Sequence, residues 1–74
     1  MISARQCKAA RDLLDWKQSD LAEKSKMAVS TIAHFERGST QPSTRTLADL
    51  HRAFEDAGIK FIDGNNEEGV KLVK

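Results

Sequence analysis

Apolar side chains recur at intervals of three and four residues through most of the chain, and this spacing predicts helices. The first helix begins after Ser3, which forms a capping-box pattern with Gln6, and runs to about Leu14. Its predicted apolar face consists of Cys7, Ala10, Leu13 and Leu14.

Three further short helices follow along the chain. The second spans about residues 18–24 and has acidic side chains in its early turns, where the helix dipole favours negative charge. The third spans residues 29–37 and ends at Gly38, because glycine readily adopts the conformation that terminates a helix. The fourth begins after Ser43, its predicted cap, and ends at Gly58. The residues that it turns inward are Leu47, Leu50, Phe54 and Ala57.

The period changes to strict alternation near the C-terminus. Residues 59–61 and 70–72 alternate between apolar and polar, and the segment between them, 63–69, is rich in Gly and Asn, so we expect a β-hairpin. Because a lone hairpin is marginally stable in water, it must pack on the helices or pair with another chain. The expected fold is mainly α, with four short helices in residues 1–58 and the hairpin, residues 59–74, as an extension of the same domain.

The composition agrees with one small globular domain, and the charge differs between the two parts of the chain. A chain of 74 residues buries only roughly 60% of its unfolded surface, so a partner would add stability. Residues 1–52 carry nine basic and six acidic side chains, whereas residues 53–74 carry three and five. A basic body suits a surface that faces phosphate; the alternative is a chance imbalance.

Several classes of protein lack support in the sequence. Cys7 is the only cysteine, which excludes an intrachain disulfide, and no signal-peptide pattern or long apolar stretch occurs, so we expect a cytoplasmic protein without a membrane segment. Cys7, His34 and His51 lie on different predicted helices, and no zinc, phosphate-loop or catalytic-triad pattern occurs. We therefore expect no enzyme activity, metal, cofactor or small-molecule ligand.

Helices 2 and 3, joined by a short turn and preceded by another helix, form a helix-turn-helix pattern, in which the second helix enters the major groove of DNA. Residues 16–24 contain Gln-x-x-Leu-Ala, and residues 31–38 contain Ile-x-x-Phe-Glu-x-Gly, ten residues beyond that alanine. This combination resembles the Xre family, the Cro and repressor type of phages and bacteria. The match continues through Pro42-Ser43 and covers residues 3–58, which implies a lambda-repressor-like domain that binds double-stranded DNA.

The resemblance also implies roles for individual residues. Arg11 and Glu36 match a buried ion pair between helices 1 and 3; the alternative for Arg11 is a solvent-exposed side chain. The positions that read bases in the family correspond to Ala28, Val29, Ser30 and His34. Those that contact phosphate correspond to Lys17, Gln18, Arg37, Ser39, Thr40 and Arg45.

The reading positions have unusual chemistry. Val29 offers only apolar contact, for which a thymine methyl group is the good partner in the major groove, and His34 can donate to guanine or meet a phosphate. The alternatives are core packing for Val29 and a solvated or helix-packed ring for His34. Relatives carry small capping residues at the positions of Lys17 and Ala28 and a glycine at that of Lys26. Either the turn is remodelled here or the motif tolerates some destabilisation.

Two functions remain open at this point. The first is a homodimeric repressor with a palindromic operator, whose subunits meet through the hairpin; the alternative for the hairpin is that it caps the core of its own chain. The predicted dimer contacts are Phe61, Ile62, Val70, Leu72 and Val73. The second function is an antitoxin-type module whose tail binds a toxin partner while the helices regulate its own operon.

Overall fold

The apolar spacing correctly predicts all four helices. The structure is a computed structural model that describes residues 2–64 and 67–73. The elements are α1 (Ala4–Leu14), α2 (Gln18–Ser25), α3 (Val29–Glu36), α4 (Thr44–Asp56), β1 (Ile59–Gly64) and β2 (Glu67–Leu72), with the two strands paired antiparallel. None of the helices in these two ranges is long and apolar enough to span a membrane.

The helix starts differ in how they are capped. Ser3 forms the full capping box with Gln6, and the Ser43 hydroxyl accepts from the Thr46 backbone N–H. At the start of α2 only the reverse half of a box exists, in which Asp20 accepts from the backbone N–H of Lys17 at 2.8 Å. No side chain caps α3 at Ala28. The N-termini of α2 and α3 therefore lack the capping energy, about 1 kcal/mol each, that serine or threonine supplies.

The turn between α2 and α3 is retained and not remodelled. Lys26 adopts a left-handed conformation, with φ of 59°, at a cost of about 1–2 kcal/mol for a residue with a Cβ. Met27 donates to Ala22 at 2.9 Å and closes the end of α2 in the way that a glycine-capped helix closes. Gly38, with φ of 76°, ends α3 without that strain.

Phe54 is the centre of the core. Its buried ring stacks on Trp16 at 5.8 Å between centroids and meets the edge of Phe61 at 6.0 Å. Leu47 and Leu50 are buried as expected, but Ala53 takes the buried position near the end of α4, whereas Ala57 lies half-buried at its C-terminus. The other large buried apolar side chains are Ile2, Leu21, Ile32, Phe35 and Ile59.

Leu13 corrects the predicted core face of α1. Its side chain is 46% exposed, whereas Cys7 and Ala10 are fully buried. At roughly 100° per residue, Leu13 lies about 120° around the helix from Cys7, beyond the stripe that faces α3. A leucine at the edge of an amphipathic face can point to solvent even though its spacing fits.

The strands are longer than expected. They extend to Gly64 and begin again at Glu67, so part of the segment predicted as a turn, 63–69, belongs to strands, and residues 65 and 66 of it lie outside the described residues. Phe61 pairs with Val70 in the ladder, and both pack on the core, so this face of the hairpin does cap its own chain.

The opposite face of the hairpin points outward. Ile62 lies opposite Gly69, and Lys60 lies directly opposite Lys71. Ile62 and Val73 are exposed here, at 38% and 53%. The outer face therefore carries apolar side chains beside a pair of like charges.

Gln6 fastens the hairpin to α1. Its buried side-chain nitrogen lies within hydrogen-bond distance of the backbone oxygens of Ile62 and Gly69, at 3.3 and 3.1 Å, and of the carboxylate of Asp63, at 3.2 Å, so its two hydrogens are shared among three acceptors. The oxygen of the same amide completes the capping box on Ser3. The Gln6 side chain thus caps the N-terminus of α1 and also holds both strands of the hairpin against that helix.

Candidate nucleic-acid interface

Helix α3 presents one polar stripe to solvent. Ile32 and Phe35 are buried and fix the inner face of the helix. Ser30, His34 and Arg37 are exposed, and their spacing of four and three residues aligns them on the opposite side. The helix is therefore held by its apolar side and displays donors and acceptors on the other.

The structure places the predicted base-reading residues at the outer side of α3 and at its start. Ala28, Val29, Ser30 and His34 are all exposed. Val29 is 43% exposed, so the alternative that it packs in the core is wrong. The ring of His34 is exposed, which agrees both with a solvated imidazole and with a side chain that contacts a DNA base.

The predicted phosphate-contacting residues lie in two places. Lys17 and Gln18 stand at the start of α2, and Gln18 is half-buried. The others are exposed and lie at the end of α3, in the loop after it and in the first turn of α4: Arg37, Ser39, Thr40 and Arg45.

Glu36 and Arg11 form the expected ion pair between α3 and α1. Arg11 donates from Nε and Nη2 to the two carboxylate oxygens, each at 2.7 Å, in a bidentate arrangement. The side chains are only 11% and 6% exposed, so the alternative of a solvent-exposed arginine is wrong. The remaining amino group of Arg11 donates to the carbonyl of Trp16 at 3.0 Å and joins the link before α2 to the same pair.

Two further donors reach the Glu36 carboxylate, and sequence reasoning missed both. The thiol of Cys7 donates to Oε2 at 3.2 Å, and the Gln18 amide donates to Oε1 at 3.1 Å. Cys7 looked like an ordinary core residue of α1, and Gln18 looked like a phosphate contact alone. Gln18 keeps a second amide hydrogen, so it can hold Glu36 and still meet a phosphate.

The carboxylate thus accepts four hydrogen bonds and ties α3 to both preceding helices. Burial acts to raise the pKa of Glu36, but the hydrogen bonds from Arg11, Gln18 and Cys7 outweigh it, and the pKa lies below its ordinary value. Burial, followed by the hydrogen bond to Glu36, raises the pKa of the Cys7 thiol. The network therefore contains an ionised glutamate and a protonated, inert cysteine at neutral pH.

The lowered pKa of Glu36 makes stability depend on pH. A carboxyl group with a depressed folded-state pKa contributes stability above its unfolded value, about 4.3, and loses that contribution as pH falls through the folded-state pKa. We expect urea midpoints to fall as the pH is lowered from about 5 towards 3. In an NMR titration, the side-chain carboxyl carbon of Glu36 should titrate below the model-peptide value; a midpoint at or above it would contradict the role of the network.

The part of the chain that the structure describes contains no group of side chains suited to a metal ion. No three His, Cys, Asp or Glu side chains in residues 2–64 and 67–73 are grouped to hold an ion.

Comparison with known proteins agrees with this geometry. A family model described as helix-turn-helix matches residues 8–55, which include the whole of α2 and α3 and most of α1 and α4. No curated protein sequence matches the chain.

Proposed function

The chain belongs to the helix-turn-helix family of the Xre and Cro type, whose members are DNA-binding transcription regulators, and from this premise we propose that it is a repressor. It binds a palindromic operator as a homodimer in the cytoplasm, on the nucleoid, with α3 in the major groove.

The observation that carries this proposal is that α3 has an exposed polar stripe on one side and is held to α1 and α2 by hydrogen bonds on the other. Ser30 and His34 face solvent while Glu36, on the same helix, is fixed by four hydrogen bonds. A helix held in this way suits base recognition, because hydrogen bonds to base edges require a recognition helix of defined position.

The reading surface has little hydrogen-bonding capacity, which shapes the sequence that it prefers. Val29 supplies an exposed apolar surface that fits a thymine methyl group, while Ser30 discriminates weakly and His34 donates to guanine N7 or O6. Phosphate contacts from the start of α2 and the loop after α3 then fix the register. Specificity rests partly on DNA shape.

The homodimer in this proposal forms through the hairpin. Phe61 and Val70 pack on their own core, so the contact relies chiefly on Ile62 and Val73, which are exposed on the outer face. Leu72, opposite Ile59, is on the inner face but is 42% exposed and can add to it. A two-fold dimer would read two half-sites about 34 Å apart, one helical turn of DNA.

Selection of bound duplexes from a random pool tests the DNA-binding function. We expect an enriched palindrome with thymine in each half-site. The double variant Ser30→Ala/His34→Ala should lose at least about tenfold in affinity for that sequence, because each base contact contributes roughly 1–3 kcal/mol. Affinity for shuffled DNA should change little.

Ala48→Ser, on the exposed side of α4, is the matched control, because it alters one small exposed side chain on another helix. Circular dichroism verifies that each variant folds. Equal binding of random and selected DNA at physiological salt would overturn the operator-binding function. A non-repeated enriched site bound by one chain would leave DNA binding intact and reject the homodimer.

The outer hairpin face favours a second function, that of an antitoxin. Lys60 and Lys71 oppose each other beside exposed Ile62 and Val73, although like charges in this position destabilise a sheet. A partner with acidic and apolar groups would relieve that repulsion. A stoichiometric complex with the product of an adjoining gene, lost in Val73→Glu while DNA binding persists, would favour this function.

A further inference from the structure

A cleft of about 510 Å³ lies between the C-terminal end of α2 and one side of α4. It is outside the stripe of α3 that faces DNA in the proposed function. The charged residues that line it are four cations, Lys24, Lys26, Arg45 and Arg52, and two carboxylates, Asp49 and Asp56. Cations outnumber anions two to one, so the cleft attracts anionic groups.

None of these six charged residues forms an ion pair within the described part of the chain. The only pairs within 4 Å there are Arg11 with Glu36 and His51 with Glu55. Lys24, Lys26 and Arg52 are also exposed. Lys24 Nζ lies 5.9 Å from the centre of the Trp16 ring, in a cation–π contact. Within the described residues, the other three cations of the cleft are therefore free to bind charges that come from another molecule.

Lys26 lines the cleft from the position that ends α2. It occupies the left-handed position that ends α2, with φ of 59°, where glycine is unstrained. Strain of this kind persists where the surrounding structure holds the backbone in place, and Asp15 ends α1 in the same conformation. The Lys26 side chain makes no hydrogen bond or ion pair within residues 2–64 and 67–73, but it lines the cleft. Lys26 therefore presents to the cleft a cation that has no charged partner within the described residues.

We propose that the cleft is a second nucleic-acid contact, which binds phosphodiester groups of duplex DNA beyond the segment that α3 reads. The inference rests on the proposed function, because it assumes that α3 docks on DNA. Arg45 belongs both to the cleft and to the phosphate contacts expected next to the groove, so the two surfaces are continuous.

The spacing of the cations fits a DNA backbone better than a free nucleotide. Arg45 and Arg52 are seven residues apart on α4, which corresponds to about 10 Å along the helix axis. A single DNA strand advances roughly 3.4 Å along its axis per phosphate and also winds around that axis, so neighbouring phosphates lie farther apart than this rise, and cations spread over such a span can contact more than one phosphate. A free nucleotide would instead require cations that converge on one point.

Lys26→Gly tests the proposal because stability and binding should change in opposite directions. Removal of the left-handed lysine should raise the urea midpoint. Loss of one phosphate contact should weaken binding roughly threefold to tenfold, equally on selected and shuffled duplexes, and reduce the log-log salt slope by about 0.9. Lys26→Asn and Arg52→Ala should weaken binding similarly, whereas Asp56→Asn should strengthen it.

Lys8→Ala is the matched control, since Lys8 is an exposed lysine on α1, outside the cleft. Binding is measured on a duplex limited to the selected site and on one extended by a helical turn at each end. The cleft variants should differ from wild type most on the extended duplex.

The proposal is overturned if Lys26→Gly, Lys26→Asn and Arg52→Ala bind the extended duplex like Lys8→Ala. It is also overturned if an NMR titration with ATP shows saturable binding of the nucleotide in the cleft while these variants bind DNA like wild type. Failure of the proposed function has a different signature, since wild-type protein would then show no preference between selected and shuffled DNA.

Discussion

Replacement of Glu36 by alanine is expected to lower the free energy of unfolding by about 3–5 kcal/mol, because it leaves the Arg11 guanidinium, 11% exposed, without its counter-charge. Cys7 and Gln18 lose their acceptor at the same time. The whole stability of a domain of 74 residues is about 4–11 kcal/mol. The loss is therefore a large fraction of the total, and the variant should show a markedly lower urea midpoint and melting temperature, as measured by urea denaturation and circular dichroism.

Glu23→Ala is the control for this result, because Glu23 is an exposed glutamate on α2. It should change stability by less than about 0.5 kcal/mol. Glu36→Gln, which keeps a carbonyl acceptor but removes the charge, should fall between the two. If Glu36→Ala were no more destabilising than Glu23→Ala, the network would not hold α3 in place.

Phe54→Ala should be similarly damaging, with a loss of about 3–5 kcal/mol. Phe54 is fully buried and contacts the rings of Trp16 and Phe61, so its removal opens a cavity between the helices and the hairpin. Amide hydrogen exchange should show greater loss of protection in β1 and β2 than in α1, because the hairpin loses its contact with the aromatic cluster.

Leu13→Ala supplies the comparison, since Leu13 is nearly as large but 46% exposed. Its truncation should lower the free energy of unfolding by less than about 1 kcal/mol. Equal losses in the two variants would show that the exposed position of Leu13 is wrong. Unchanged protection of the hairpin in Phe54→Ala would show that the hairpin does not depend on this cluster.

The helix-turn-helix unit was predictable because its signals are local. A helix repeats every 3.6 residues, so the spacing of Leu21 and Ile32 within their segments was sufficient to indicate which sides are buried. Ser3, Gly38 and Ser43 marked helix ends through contacts with residues at most five positions away. The ion pair of Arg11 and Glu36 came from the resemblance to a family and not from the spacing.

The parts that sequence reasoning missed depend on residues far apart in the chain. Cys7 and Glu36 are 29 positions apart, and Gln6 and Gly69 are 63 apart. No periodicity relates such residues, and a polar side chain such as Gln6 gives no sign of whether its partners will be water or a strand. The exposure of Leu13 likewise depends on how α3 and the hairpin cover α1.

The sequence by itself therefore determined the four helices, the hairpin, the family and the side of α3 that faces outward, because these follow from local periodicity and a short motif. The tertiary structure alone decided that four donors converge on Glu36, that Gln6 holds the hairpin to α1, and that Lys26 lines a basic cleft. Each of those arrangements forms only when separate elements pack together, and the free energy of that packing is not encoded in any one segment.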